Sequence, residues 1–160
     1  PHPATPDPLW SRGLGDVYKR QNIIRINSNF YPPTPENPAK DFRNFKTPLG
    51  KWQQYQNKRE TREVVKKWYE DRPYLNIGII TIGLLVVDAD TDEGVRWCED
   101  NLSFAIYSVT AKGAHFYFKQ PKNQRVNCEI KNTKCGIDIK ADGGLVVAPP
   151  SVHGSGKFYR

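Results

Sequence analysis

The pattern of apolar and polar positions changes character at Asn76. Before it, apolar residues come in small clusters among prolines and charges. After it, they alternate with polar ones or run together in short blocks broken by glycine. In the first part, residues 22–27 (NIIRIN) predict a short strand, and the proline-rich run 31–38 (YPPTPENP) excludes regular structure. Residues 46–55 (KTPLGKWQQY) read as an irregular basic segment with an aromatic anchor. Thr61 is a suitable N-cap for a helix reaching about Asp71, with Val64, Val65 and Trp68 as its apolar stripe.

In the second part, residues 77–81 and 84–90 are β-rich runs that the break at Gly83 predicts to form a tight hairpin. Thr91 predicts the cap of a helix over 92–101, with Val95 and Cys98 turned inward. Residues 105–110 and 114–119 predict a second strand pair around Gly113. Residues 136–140 and 145–148 predict a third around Asp142, Gly143 and Gly144, after which Pro149 and Pro150 stop the sheet. The expected class is α+β, built mostly on hairpins.

Candidate chemistry emerges when strand alternation is applied to each run. Asp88 and Asp90 are separated by one residue, so on a strand both carboxylates point the same way, with Ala89 opposite. Taken alone, such a pair as readily starts a loop or caps the next helix. His115 follows a loop bearing Lys112 and Gly113 and shares a strand face with Tyr117, while Phe116 and Phe118 share the other. A lone strand histidine is more often structural than functional. Asp138 stands between Ile137 and Ile139, which take the core face; a carboxylate there needs a cation or a hydrogen-bond partner, and Lys140 is the simplest one.

The three runs together are more specific than any one. Side by side, they bring three carboxylates and a histidine to one sheet face. Clustered carboxylates repel, and a divalent cation relieves that; hard oxygen ligands suit Mg²⁺ or Mn²⁺ rather than zinc. Such a site can bind a nucleoside triphosphate and polarise an attacking 3′-hydroxyl and the α-phosphate. His115 and Lys112, with Lys140, are then the groups expected to meet the nucleotide.

Composition narrows the partners. The 160 residues suffice for one domain, and 24 Lys+Arg against 17 Asp+Glu give a net charge of +7, favouring nucleic acid before membrane. Cys98, Cys128 and Cys135 are too few for a disulfide framework, and Cys128 and Cys135 lack the tight spacing of a zinc site. A reducing, cytoplasmic setting is expected, in a bacterial, archaeal or virus-infected cell. The longest apolar stretch, 77–87, is too short and too interrupted to span a bilayer, and no secretory signal stands near the N-terminus. Residues 1–21 match nothing else in the chain: LWSRGLGDVYKRQ resembles translated adapter sequence, which would make them an artefact, the alternative being a disordered native tail.

The ordered set NIGI, GLLVVDAD, VTAKGAHFYFK and GIDIKADGGLVVAPPSVHGSGKFY is similar to the bifunctional DNA primase/polymerase N-terminal domain of the archaeo-eukaryotic primase superfamily. KTPLGKWQQYQ and VVKKWYED also resemble its N-terminal half, so the likeness covers roughly residues 45–159. The resemblance implies two small α/β modules, one RNA-recognition-motif-like, flanking a central active site. It implies a template-directed nucleotidyltransferase using two divalent metal ions in mobile-element, plasmid or viral replication. Its partners would be DNA template and primer, nucleoside triphosphates, and a helicase domain or protein encoded downstream. By position, Asp88 and Asp90 match the first metal-coordinating motif, Asp138 the third, and His115 the nucleotide-contacting histidine of the second. Two departures stand out. The turn at Thr81, Ile82 and Gly83 is shorter than usual in the family, and Gly113 stands where many superfamily members have serine. The domain, 22–160, is expected to be truncated at both ends. The rival readings are a metal-dependent nuclease and a non-catalytic RNA-recognition-like module.

Overall fold

The computed structural model describes residues 22–28, 46–103, 106–121, 123–124, 126–128 and 135–160. The expectations for residues 1–21 and for the proline-rich run 31–38 lie outside the described residues. The chain forms strand β1 (Asn22–Ile26), helix α1 (Arg62–Asp71), strands β2 (Asn76–Ile80) and β3 (Leu84–Ala89), and helix α2 (Asp92–Asn101). Strands β4 (Tyr107–Val109), β5 (Ala114–Lys119), β6 (Ile137–Lys140) and β7 (Leu145–Ala148) follow. A 3-10 turn over Gln53–Gln56 ends the basic segment, and Trp52 and Tyr55 anchor that segment on the core beside Ile24, Ile26 and Ile80.

Both helices begin where a threonine can cap them. Thr61 Oγ1 accepts the Val64 N–H at 3.3 Å, and Thr91 Oγ1 accepts the Gly94 N–H at 3.0 Å. The stripe of α1 is rotated from the expected one: Val64 is exposed, and Val65, Trp68 and Tyr69 form the inner face. This helix lies on β1 rather than on a deep core. Tyr69 donates its hydroxyl to the Ile24 carbonyl at 3.1 Å, and Trp68 stacks under the Arg25 guanidinium at 4.7 Å.

The strands form two sheets, in the orders β1-β2-β7 and β4-β5-β3-β6, with every pairing antiparallel. Of the three expected hairpins only β4–β5 forms. β2 already has β1 and β7 as neighbours, and β3 has β5 and β6, so neither has a free edge for the other. Residues 81–83 turn a corner between sheets instead, and residues 141–144 turn the matching corner from β6 to β7. The corners are knitted together: the Thr81 N–H donates to the Gly144 carbonyl at 3.1 Å, the Thr81 hydroxyl donates to the Ala141 carbonyl, and the Gly83 N–H donates to Asp142 Oδ1 at 3.1 Å. Since β4 and β3 each run antiparallel to β5, they are parallel to one another, and β3-α2-β4 is a split β-α-β unit.

Core packing follows the alternation. Leu84 and Val86 of β3 and Tyr117 of β5 meet Ile79, Val146 and Ala148 of the other sheet, forming the layer between sheets. On the opposite face Val87, Ala89, Ala114 and Phe116 pack with Cys98 of α2, flanked by Val95, Ile137 and Ile139. The segment after β7 is strapped down by Asn76, which is 2% exposed. Its Nδ2 donates to the Val152 carbonyl at 2.9 Å, and its Oδ1 accepts the Val152 N–H at 2.8 Å. Removing this amide leaves two part-buried backbone groups of Val152 without that partner. We expect Asn76→Ala to cost about 3 kcal/mol in chemical denaturation; a loss below about 0.5 kcal/mol would show that the strap contributes nothing.

Candidate active site

The face of β3 that enters the layer between sheets continues outward as acid. After Leu84 and Val86 comes Asp88, its side chain 15% exposed, and then Asp90, exposed just beyond the strand. The backbone N–H of Asp90 donates to the Gly136 carbonyl at 2.9 Å, tying the exit of β3 to the entry of β6. Pairing register then sets one transverse row: Ser108 opposite His115, His115 opposite Asp88, and Asp88 opposite Asp138. Opposed residues of antiparallel strands share a face, so these four side chains point the same way.

Within the row, His115 Nε2 lies 3.2 Å from Asp88 Oδ1. The approach is short but not aligned as a hydrogen bond, so Asp88 Oδ1 is buried with no donor, as is His115 Nδ1 with no partner. Burial alone would raise the Asp88 carboxyl, but His115, Lys140 and Lys46 together outweigh it and hold it below the usual carboxylate range. Lys140 Nζ donates to Asp138 Oδ2 at 2.9 Å, so the simplest partner considered for that acid is the one found. Asp88, His115 and Asp138 are thus brought together. Asp90 lies one step outward, and Lys112 is exposed in the loop between β4 and β5.

Gly113 in that loop has no room for a side chain, because an added Cβ would stand 1.9 Å from the Ala89 carbonyl oxygen. A serine in its place would require the loop to lift from β3.

The carboxy-terminal segment was not anticipated. Val109 and Arg160 exchange backbone hydrogen bonds at 2.7 and 3.0 Å, extending the four-stranded sheet beyond β4. Tyr159, 2% exposed, sits with its ring 6.1 Å from His115 and 6.4 Å from His153. Burial, and then the charges of Asp88 and Asp90, push its hydroxyl up to about 12. Lys46 and Lys157 add positive charge around the same rim. The signal was present in the string VHGSGKFY: two glycines between a histidine and an aromatic pair mark a turn, and Gly156 has φ +84°.

The donor set suits a hard cation, since it consists of carboxylate oxygens and includes the donorless Asp88 Oδ1. Among the described residues, however, no three His, Cys, Asp or Glu side chains are gathered closely enough to hold an ion. A cation shared by Asp88 and Asp138 competes with Lys140, which pairs with Asp138 and also lowers the pKa of Asp88 through its charge.

Two antiparallel sheets with a half-buried row of acids and histidine emerging from the layer between them define an α+β domain with an acidic centre. Residues 31–160 match the family of the bifunctional DNA primase/polymerase N-terminal domain, and the chain belongs to that family. Membership points to a nucleotidyltransferase of the DNA primase/polymerase type, acting in replication on DNA and nucleotides. No curated protein matches the chain. No helix among the described residues is long and apolar enough to cross a membrane.

Proposed function

We propose that the domain adds nucleotides to a template-paired DNA 3′ end, with Asp88, Asp90 and Asp138 as the acidic centre. The single observation that supports this reading most strongly is the register that sets Asp138, Asp88 and His115 side by side on three adjacent strands. In the reaction, the 3′-oxygen forms a bond to the α-phosphorus, and the bridging oxygen to the β-phosphorus departs with its electron pair as pyrophosphate. The hydroxyl proton is released to solvent. Asp88, Asp90 and Asp138 would hold two divalent ions; bound there, Mg²⁺ or Mn²⁺ lowers the pKa of the hydroxyl and neutralises charge on the α-phosphate.

The chain's own groups prepare that centre. His115, 6% exposed, orients and stabilises the Asp88 carboxylate from one side, while Lys140 does the same for Asp138 from the other. Lys112, exposed in the loop that bears Gly113, would meet the nucleotide. The strand order β4-β5-β3-β6 with its split β-α-β unit is the ground for reading this sheet as the RNA-recognition-like module. Element-borne replication with a helicase encoded downstream remains the setting we propose, on the resemblance alone.

A primer–template assay tests the reading. With nucleotides and Mg²⁺ or Mn²⁺ the primer should lengthen, and chelator should stop it. Shortening of the primer would favour a nuclease. Template binding indifferent to chelator, without extension under any condition, would favour a binding module.

A further inference from the structure

Lys140 stands beside the point where acids of two neighbouring strands face each other. Pairing register puts Asp138 opposite Asp88, and Lys140, two residues on, opposite Val86. Side chains alternate along a strand, so Lys140 and Asp138 share a face, with Lys140 one step further into the layer between the sheets. Val86 is fully buried. The Lys140 stem therefore leaves the layer alongside an apolar neighbour and delivers its ammonium to the row of acids. There Nζ donates to Asp138 Oδ2 at 2.9 Å. The two side chains are 20% and 22% exposed, so solvent screens the pair only in part. The same charge reaches Asp88, where with His115 and Lys46 it outweighs burial.

A monovalent cation is thus built into a centre whose oxygens suit divalent ones. A lysine on an open surface can turn away to water, whereas a stem held between strands lets the ammonium move only along the row. A divalent ion taking Asp138 must first displace Nζ from Oδ2. It must then sit beside a positive charge, and like charges a few ångströms apart repel strongly where burial limits screening. Asp88, Asp90 and Asp138 carry three negative charges, and two divalent ions would set four positive charges beside the Lys140 ammonium. A nucleoside triphosphate reverses that balance, because it brings several negative charges and new oxygen acceptors for Nζ.

We propose that Lys140 gates the acidic centre: its ammonium keeps Asp138 closed to a divalent ion until the phosphates of an incoming nucleotide draw it away. The nucleotide's part in this rests on the nucleotidyltransferase reading, while the guard on Asp138 is a property of the protein alone. No covalent bond changes. Lys140 exchanges one anionic oxygen for another, and occupancy of Asp138 becomes tied to the presence of substrate.

The test reads Mn²⁺ binding to the whole chain without nucleotide, from the paramagnetic resonance signal of the free ion. Lys140→Met removes the charge and keeps an unbranched stem, and Lys140→Gln does the same with a polar end. Both should bind Mn²⁺ roughly tenfold more tightly than the unsubstituted protein, as one competing charge leaves a partly exposed site. Lys140→Arg keeps the charge and should stay within about twofold. Adding Asp138→Asn to Lys140→Met should cancel the gain, since the guarded acid is then gone. In primer extension, Lys140→Met should reach half its maximal rate at lower Mn²⁺ but show a raised KM for nucleotide. Unchanged or weaker Mn²⁺ binding in both the Met and Gln variants overturns the gate, whatever the activity. A gain that survives Asp138→Asn also overturns it and leaves Lys140 as diffuse positive charge. Normal extension with an unchanged nucleotide KM in Lys140→Met shows that phosphates do not open the gate, and the proposal falls. A gain cancelled by Asp138→Asn in a protein that extends no primer upholds the guard on Asp138 and removes the polymerase reading.

Discussion

Asp88→Asn is expected to lower template-directed nucleotide addition by roughly 10³-fold, equivalent to about 4 kcal/mol of transition-state stabilisation. Asp88 stands at the middle of the row, with His115 on one neighbouring strand and Asp138 on the other. Its Oδ1 is buried 3.2 Å from His115 Nε2, and His115, Lys140 and Lys46 together hold the carboxyl below the usual carboxylate range, so the group is charged. The amide has the same shape but removes the negative charge. Folding should survive, because the substitution also removes a half-buried carboxylate; the midpoint of thermal unfolding should stay within roughly 3 °C. Template binding should change less than about twofold, since phosphate contacts come from the basic surface. Primer extension under single-turnover conditions is the measurement. Extension within tenfold of the unsubstituted protein would remove Asp88 from the chemistry.

Gly113→Ala is expected to destabilise the domain by about 3 kcal/mol, or roughly 10 °C in thermal unfolding. The backbone of Gly113 lies so close to β3 that a Cβ would stand 1.9 Å from the Ala89 oxygen, and the obstacle is backbone rather than a flexible side chain. The loop must therefore lift, taking Lys112 with it. The lift would also strain the Thr110–Gly113 closure, in which the Thr110 N–H donates to the Gly113 carbonyl at 2.8 Å. Lys112→Ala in the same loop is the control. Lys112 is exposed, and its loss should leave the unfolding midpoint within about 2 °C. If Gly113→Ala melts with the unsubstituted protein, the close approach to β3 is not real.

Local chemistry was legible in the sequence wherever it depends on nearest neighbours. Thr61 and Thr91 announced their helices because an N-cap hydroxyl satisfies a backbone N–H a few residues on, with no help from the rest of the chain. Alternation along 84–90, 114–119 and 136–140 was enough to put Asp88, His115 and Asp138 on the faces opposite Val87, Phe116 and Ile139, because side-chain period in a strand is a local property.

Partnership between strands was another matter. A short glycine-containing link such as 81–83 suits a hairpin and a corner equally, and only competition for edges separates them. β2 and β3 are each an inner strand of a different sheet, and this is known only once β1, β5, β6 and β7 have taken their places. The same holds for the rim of the site. Nothing local to Tyr159 states that its ring will lie near both His153 and His115, the latter some forty residues earlier in the chain. That neighbourhood exists because Asn76 holds Val152, and Arg160 pairs with Val109. By itself the sequence therefore determined the elements and the chemical character of each strand face, since both depend on short-range periodicity. Tertiary structure alone decided which faces met, because burial and edge pairing are settled across the whole chain at once.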